Sequence, residues 1–385
     1  MKIQMLNAIS KTVIEQMADE NYTFYEELEN PDAYLVRSFK MHDMDIPESV
    51  LAIARAGTGT NNIPVEKCSE KGIVVFNTPG ANANAVKELV LAAMLISSRN
   101  LIPGHQWTQS LHSGAQIPAD VEKGKKQFAG TEIAGKKLGV IGLGAIGALV
   151  ANSALDLEME VFGYDPYISV ETAWKISKNV KRVNTIEEIF ETCDYVTCHV
   201  PLLDSTKEFV NAELLSKTKK GLILLNFSRG ELVDEDALED AISRKIIKQY
   251  ITDFPNERIL KMKHVTAFPH LGASTAEAEE NCARMAIKQL KHYLSRGSIR
   301  NSVNFPTLEL PPILHKRVTI VHENIPNMIG QISTLFAQSN TNIENLFNKS
   351  RGKWAYTAID IETDIDDALI AQLRTIPGIV FVRVI

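Results

Sequence analysis

Three ionisable residues in the second half of the chain have side chains that could do chemistry together. They are Arg229 in Asn226-Phe-Ser-Arg-Gly230, Glu257 in Asp253-Phe-Pro-Asn-Glu257, and His270 beside Pro269. A guanidinium can bind a carboxylate through two parallel hydrogen bonds. An imidazole can accept a proton near neutral pH, and a neighbouring carboxylate orients it and raises its pKa. These three residue types together predict acid–base chemistry on a small acid, although each residue alone is more often a solvated surface residue.

A glycine motif earlier in the chain favours the chemical interpretation. Gly142, Gly144 and Gly147 form a G-x-G-x-x-G pattern between an apolar run and an alanine-rich stretch of helical type. A second apolar run then ends at Asp165, an order typical of a dinucleotide site. The glycines allow a tight turn and close approach to a pyrophosphate at a helix N-terminus, where Ala145 and Ile146 follow. Asp165 can accept both ribose hydroxyls and would repel a 2′-phosphate, which favours NAD over NADP. The alternative is a glycine-rich turn of another α/β protein.

The remaining apolar runs predict a parallel sheet whose strand ends carry polar residues. Runs end near His199, Asn226, Asp253 and Ala267. In a doubly wound sheet such ends form the ligand crevice. Topology alone therefore directs His199, Asn226 to Arg229, Asp253 and His270 towards a cofactor.

The flanking regions predict two further modules. Residues 1–97 show strand-like runs at Ala33–Ser38 and Ile73–Phe76 with a helix over 82–98, which indicates another α/β unit. Residues 100–136 are polar and loop-rich, and 275–295 form a long amphipathic helix. After a proline-marked linker, the last 70 or so residues have a βαββαβ pattern, a ferredoxin-like topology.

Composition narrows the functional classes. The 385 residues suggest two or three domains, and 45% hydrophobic and 23% charged residues are ordinary for a soluble protein. A net charge of −6 argues against a nucleic-acid or membrane-surface role. No run suits a transmembrane helix and no signal peptide is evident at the start. The scattered Cys68, Cys193, Cys198 and Cys282 are expected to be free thiols in a reducing cytoplasm, with no metal site.

The motifs resemble those of the D-isomer-specific 2-hydroxyacid dehydrogenases, and among them the enzymes that oxidise D-3-phosphoglycerate. The resemblance extends over about residues 33–290. The stretches that match most specifically are Arg55-Ala-Gly-Thr-Gly-Thr-Asn-Asn62, Asn77-Thr-Pro, Leu138 to Gly147, His199-Val-Pro-Leu, Asn226-Phe-Ser-Arg-Gly and Pro269-His-Leu-Gly-Ala-Ser-Thr. The C-terminal module resembles an ACT domain. The resemblance implies a flavodoxin-like substrate domain (1–97 with 287–305), a Rossmann NAD domain (98–286), a linker (306–312) and an ACT regulatory domain (313–385).

The resemblance also implies roles for individual residues. Arg229, Glu257 and His270 would be catalytic, with His270 taking the proton of the C2 hydroxyl. Asp253 would bind the nicotinamide carboxamide. The cofactor would be lined by Gly142, Gly144, Ala145, Ile146, Gly147, Asp165, His199, Val200, Pro201, Phe227, Ser228, Arg229, Asp253, His270, Gly272 and Ala273. The substrate candidates are Arg37, Ser38, Lys40, Arg55, Ala56 and Gly57, although Lys40 alone is more often a solvated lysine.

The ACT resemblance implies regulation and assembly. In relatives that sense L-serine, the amino acid is bound by residues that match His322, Asn324 and Asn342. Serine feedback is therefore one expectation. The alternative is that the module serves only as an oligomerisation surface of a dimer or tetramer.

Three departures from the family pattern qualify these assignments. Asn61 occupies the position of a usual aspartate, and the segment 125–130 lacks a common arginine. The Glu257 segment is one residue short, with Arg258 in place of a proline.

Two other functions remain open at this point. One is another 2-hydroxyacid dehydrogenase, of glyoxylate/hydroxypyruvate or lactate type. The other is a non-catalytic NAD-binding regulator, against which the intact Arg229, Glu257 and His270 argue.

Overall fold

The N-terminal residues build a five-stranded parallel sheet with flavodoxin order. In the computed structural model, which describes residues 1–7, 9–111 and 116–385, the strand order is β2-β1-β3-β4-β5. This is the 2-1-3-4-5 arrangement of one doubly wound class. The elements are β1 (Lys2–Met5), α1 (Lys11–Met17), β2 (Thr23–Tyr25), β3 (Ala33–Val36), β4 (Ala52–Arg55), α2 (Val65–Glu70) and β5 (Val74–Phe76).

The middle of the chain forms a seven-stranded sheet that is parallel throughout. Its order is β12-β11-β10-β9-β6-β7-β8, the Rossmann arrangement with one added strand. The elements are α3 (Ala83–Ser98), α4 (Leu101–Gln109), α5 (Ile117–Gly124), β6 (Lys137–Ile141), α6 (Ala145–Asp156), β7 (Glu160–Tyr164), α7 (Val170–Ala173), β8 (Lys181–Arg182), α8 (Ile186–Thr192), β9 (Tyr195–Cys198), α9 (Ala212–Ser216), β10 (Leu222–Asn226), α10 (Glu235–Ser243), β11 (Ile247–Thr252), α11 (Glu257–Lys261) and β12 (Val265–Ala267).

The C-terminal part is one long helix followed by a ferredoxin-like module, residues 316–385. Its four strands are antiparallel neighbours in the order β14-β15-β13-β16, as the βαββαβ pattern predicted. The elements are α12 (Ala276–Arg296), β13 (Lys316–Glu323), α13 (Met328–Gln338), β14 (Asn345–Arg351), β15 (Trp354–Ile361), α14 (Asp367–Thr375) and β16 (Ile379–Val384).

The chain divides into two compact units. Unit 1 is residues 1–82 with 279–385, and unit 2 is residues 83–278. The division thus precedes α3 and falls within α12, whereas the sequence placed domain boundaries at 97/98 and 286/287. The helix α3 goes with unit 2 because Val86, Val90 and Met94 pack beside Leu138 and Val140 of β6.

Residues 100–136, expected to be loop-rich, carry the helices α4 and α5. Neither helix has a buried residue, and the ring of Trp107 packs on that of Phe128 at 5.3 Å between centroids. The helix α4 contains Pro103 and Gly104, and α5 is only eight residues long, which is why sequence reasoning missed both.

Within unit 1, the first sheet and the ferredoxin-like module share one hydrophobic core. That cluster contains Phe76 of β5, Leu290 and Tyr293 of α12, and Val321 and Tyr356 of the module. The opposite face of the module's sheet packs on its own helices α13 and α14. Burial of both faces fixes the sheet, since each face removes apolar surface from water. In the described residues no helix is both long enough and apolar enough to cross a bilayer.

The ion pair of Arg317 and Asp360 lies inside this shared core. The Nε and Nη2 atoms of Arg317 donate to the two Asp360 carboxylate oxygens at 2.6 and 2.9 Å, and the Arg317 side chain is fully buried. Removing one member of such a pair leaves an uncompensated charge in the interior.

Arg317→Ala is therefore expected to lower the free energy of unfolding by about 3–5 kcal/mol. The matched control is Lys316→Ala, because the Lys316–Asp364 pair is mostly exposed and such pairs contribute about 0–1 kcal/mol. Thermal unfolding of the two variants compares them directly. Equal melting temperatures would contradict the interpretation.

Candidate active site

The glycine turn between β6 and α6 leaves no room for side chains except at its centre. A Cβ on Gly142 would lie 2.7 Å from the His199 carbonyl oxygen, and one on Gly147 would lie 1.9 Å from that of Gly142. Gly142 also has a φ of 85°, in the left-handed region. A Cβ on Gly144 would contact nothing within 4 Å. Gly144 and Ala145 are exposed at the start of the twelve-residue α6. The turn thus presents free N–H groups in open space, which fits a pyrophosphate.

Asp165 follows β7 and is tied to the same turn. Its two carboxylate oxygens accept hydrogen bonds from the backbone N–H groups of Leu143 and Tyr167, both at 2.8 Å. Each oxygen retains a further lone pair for a ribose hydroxyl. The assignment of Asp165 to the cofactor stays a prediction.

His199 lies at the end of β9, behind the glycine turn. Its Nε2 is 3.0 Å from the hydroxyl of Thr197, while the buried Nδ1 has no protein partner. Burial lowers the pKa of His199 to about 4, so the ring is neutral at physiological pH. Thr197 was not among the predicted site residues, since a threonine inside a β-strand gives no functional signal.

The loop after β10 is held by a buried asparagine. The Nδ2 of Asn226 donates to the Arg229 carbonyl at 2.8 Å and to the Tyr250 hydroxyl at 3.2 Å. The Ser228 hydroxyl donates to the Val200 carbonyl at 2.6 Å, which joins this loop to the end of β9. Arg229 is exposed, and its Nη1 donates to the Ser228 carbonyl.

Phe227 differs from the sequence expectation. It was expected to line the cofactor, but its side chain is 5% exposed and lies in the core beside the β6 strand. In the alternation of a strand, Phe227 points away from the face that Asn226 and Ser228 occupy.

Asp253 is the buried carboxylate of the site. One oxygen accepts the N–H of Gly272 at 2.9 Å, and the other has no protein partner. Burial raises the pKa of Asp253, and the Gly272 N–H and the nearby His270 offset part of that effect. Buried acceptors without a protein partner are rare, and this oxygen can accept a hydrogen bond from a ligand donor. The amide of a nicotinamide supplies such a donor, so the observation fits the predicted role.

His270 is exposed and contacts a ring rather than a carboxylate. Its imidazole centroid lies 5.0 Å from that of Phe254. Glu257, the predicted orienting carboxylate, is 86% exposed and pairs with Lys261 at 2.6 Å. The structure therefore does not bring Glu257 to His270. The reason is local: the short segment makes Glu257 the first residue of α11, one turn before Lys261.

His270 and Asp253 line one cleft of about 770 Å³ in unit 2. Other residues of the wall are Phe254, Arg258 and Gly230, the residue after Arg229. Arg258, which departs from the family pattern, is bound by Asp236 and Glu239 at 2.5 and 2.7 Å. The cleft gathers the buried carboxylate and the imidazole at the ends of β11 and β12. Gly272 and Ala273 continue this loop.

The substrate candidates of unit 1 lie at the ends of β3 and β4. Val36 and Arg55 are register partners, so Arg37 and Arg55 sit side by side, and Arg55 Nε donates to the Arg37 carbonyl at 3.0 Å. The Arg55 guanidinium lies against Gly57, where a Cβ would be 2.7 Å from Nη1. Ser38 and Lys40 are exposed, and Ala56 is buried.

A residue that sequence reasoning missed organises this loop. Oδ1 of Asn7 accepts hydrogen bonds from the backbone N–H groups of Arg37, Ser38 and Phe39 at 3.3, 3.2 and 2.8 Å. A lone asparagine after a short strand carries no motif that would have indicated it.

The three residues of the ferredoxin-like module that were predicted to bind L-serine lie in different environments. His322 is buried, with Nδ1 2.8 Å from the Glu323 carbonyl and Nε2 2.8 Å from the Thr357 hydroxyl. Burial lowers its pKa. Asn324 and Asn342 are exposed, and Asn324 donates to the Gly352 carbonyl at 3.3 Å.

Comparison with known proteins connects these sites to one family. Residues 91–272 match the model for the NAD-binding domain of D-isomer-specific 2-hydroxyacid dehydrogenases. A D-3-phosphoglycerate dehydrogenase of Haemophilus influenzae is 34% identical over 353 residues, 87% of this chain and 81% of that protein. A hydroxypyruvate reductase of Thermotoga maritima is 39% identical over 260 residues, 64% of this chain and 80% of that protein.

A solved structure supports the same relation. The NAD⁺-bound 3-phosphoglycerate dehydrogenase of Entamoeba histolytica aligns with a TM-score of 0.59 at 27% identity, over 80% of this chain and 99% of that one.

Because Asp253 is buried, replacing it should have opposite effects on stability and on NAD binding. Because its pKa is raised in the folded chain, the ionised form destabilises the fold, and stability falls as pH rises above about 4, the unfolded value. Asp253→Asn should therefore raise the melting temperature at pH 7 and weaken NAD binding about tenfold or more, since a charged acceptor is lost.

The gain in melting temperature should shrink as the pH is lowered, because protonation of the native aspartate removes the buried charge. The exposed Asp240→Asn is the control and should change neither property. A lower melting temperature for Asp253→Asn at pH 7 would contradict the argument.

Proposed function

The chain belongs to the D-isomer-specific 2-hydroxyacid dehydrogenases and uses NAD, and we propose that its reaction is the oxidation of D-3-phosphoglycerate to 3-phosphohydroxypyruvate. The observation that carries the substrate assignment is the pair of arginines, Arg37 and Arg55, at adjacent strand ends of unit 1. A phosphate dianion needs about two cations or several N–H donors. The similarity to a D-3-phosphoglycerate dehydrogenase over most of both chains supports the same substrate. Such a reaction would be the first step of L-serine synthesis.

In this proposal, unit 2 carries the reacting groups. Arg229, exposed on a loop held by Asn226, binds the substrate carboxylate and polarises the C2 oxygen. Its charge also favours the C2 carbonyl that forms. Asp253 uses its orphaned oxygen to bind the carboxamide, which fixes the orientation of the nicotinamide ring. Bound NAD supplies the acceptor for the hydride that leaves C2.

His270 is the acid–base group of the proposed reaction. As the hydride leaves C2, the hydroxyl proton passes to the imidazole, and in the reverse direction the imidazolium returns it. A base in this role acts best with its pKa near the working pH. The Phe254 ring packs beside the imidazole, and Asp253 lies nearby. Glu257 remains a predicted member of the catalytic set, and joining His270 would require it to leave Lys261.

A second candidate substrate class has support of its own. The hydroxypyruvate reductase of Thermotoga maritima has the higher identity, 39%, although it matches a smaller share of this chain. An unphosphorylated 2-hydroxy acid would use Arg229 and His270 in the same way and would not need Arg37.

The two candidates separate in one assay. NADH formation should be at least tenfold more efficient, by kcat/KM, with D-3-phosphoglycerate than with D-glycerate or D-lactate, because only the first places a dianion at Arg37 and Arg55. His270→Ala should lose turnover and retain NAD binding. Equal efficiency on D-glycerate would exclude the phosphate assignment. Absence of turnover with every acid would favour a non-catalytic regulator.

We also propose that the ferredoxin-like module is an ACT-type sensor that lowers activity when L-serine binds. Asn324 and Asn342 are exposed and can bind the polar groups of an amino acid. The buried His322 would join only if its ring exchanged Thr357 or the Glu323 carbonyl for the ligand.

L-serine should therefore inhibit NADH formation, and Asn324→Ala should weaken the inhibition at least fivefold without changing the rate in its absence. Point variants are the suitable test, because deletion of residues 313–385 would uncover Leu290 and Tyr293 of α12. D-serine is the control ligand. Unchanged activity at millimolar L-serine would leave the module without this role.

A further inference from the structure

The guanidinium of Arg37 already has a carboxylate partner. Its Nη2 lies 2.5 Å from Oε1 of Glu279, and both side chains are about 40% exposed, at 41% and 42%. Glu279 belongs to the first turn of α12, and both residues are part of unit 1. The ion pair occupies Nη2 of the guanidinium to which the proposed function assigns the phosphate.

The surroundings of the pair hold Arg37 in place without using its charge. Asn7 fixes the backbone of the loop, and Arg55 donates to the Arg37 carbonyl. Among the described contacts of the Arg37 guanidinium, Glu279 supplies the only ion pair. The partner carboxylate comes from a rigid helix of 21 residues rather than from the loop itself. Its position is therefore built into the fold.

We propose that Glu279 is a resident counter-ion of the phosphate subsite, which the phosphate of the substrate displaces from Arg37. This inference rests on the proposed function, because it takes Arg37 to be a phosphate ligand. In the substrate-free chain Glu279 neutralises one of two neighbouring arginines. An anion that binds Nη2 of that arginine must replace the carboxylate.

A phosphate monoester is well suited to this exchange. A half-exposed ion pair is weak, because water and salt screen it. A phosphate near neutral pH carries almost two negative charges and three acceptor oxygens, so it competes well against one carboxylate. A singly charged anion binds Arg37 more weakly and displaces less of the carboxylate at the same concentration. Because the ion pair must open for any anion that binds this group, Glu279 lowers the affinity of each by the same factor.

An opposite role is also physically reasonable and can be distinguished. A carboxylate could hold the guanidinium in the geometry that the phosphate needs, in which case its removal would weaken phosphate binding. Displacement predicts tighter binding after Glu279→Gln, whereas orientation predicts weaker binding. The direction of the change decides between them.

The experiment is calorimetric titration of the full-length, NAD-saturated protein with inorganic phosphate. NAD saturation keeps phosphate from the glycine turn. Glu279→Gln should bind phosphate about two- to fivefold more tightly than the unmodified chain, the range expected for an exposed ion pair. Glu277→Gln is the matched control, since it removes the same charge from the same helix at an exposed position with no ion pair among the described contacts. It should leave the affinity unchanged.

A double-mutant cycle tests whether the effect acts through Arg37. In an Arg37→Gln background, Glu279→Gln should no longer tighten phosphate binding. In kinetics, Glu279→Gln should lower the KM for D-3-phosphoglycerate by a similar factor and leave that for D-glycerate unchanged.

Failure of the proposed substrate and failure of the counter-ion proposal give different results. Equal turnover of D-3-phosphoglycerate and D-glycerate by the unmodified chain would overturn the proposed substrate. The counter-ion proposal fails if Glu279→Gln binds phosphate no better than Glu277→Gln, or if neither the unmodified chain nor any variant binds phosphate. It also fails if Glu279→Gln still tightens phosphate binding in the Arg37→Gln background.

Discussion

Unit 1 depends on how the C-terminus of α12 is capped. The last carbonyls of a helix lack intrahelical donors and carry partial negative charge. Here the ferredoxin-like module supplies the donors: Arg383 donates to the Tyr293 and Leu294 carbonyls, Arg317 to that of Arg296 at 2.9 Å, and Tyr356 to that of Gly297 at 2.8 Å. Two guanidiniums and a phenol thereby attach the module to the helix.

The first turn of α12 meets a predicted substrate loop of the same unit, where Glu279 pairs with Arg37. Further along the helix, Gln289 donates to the Asn77 carbonyl at 3.0 Å. A single helix therefore contacts the regulatory candidate at its C-terminal end and the phosphate candidate at its N-terminal end. Coupling between two sites needs an element that both can bias. The helix α12 is the physical connection that such coupling would use.

The sequence predicted most of the fold because its signals were local. Apolar runs located the central strands, βαββαβ spacing located the module, and three glycines with Asp165 located the turn. The misplacements were of residues whose position depends on context. Phe227 follows strand alternation into the core, and Glu257 pairs with Lys261 because α11 begins at that residue. The donors to Asn7 come from a loop distant in sequence, so no motif could indicate it.

The shared core of unit 1 has a consequence for the order of folding. Unit 2 is one continuous stretch, so its core can form as soon as residues 83–278 have left the ribosome. Residues 1–82 cannot complete theirs then, because Phe76 packs against Tyr293 and against residues of the C-terminal module. The first strands made are among the last to be buried. Nascent chains of this protein thus carry an unfinished apolar sheet through most of their synthesis, a period in which chaperones have a surface to bind.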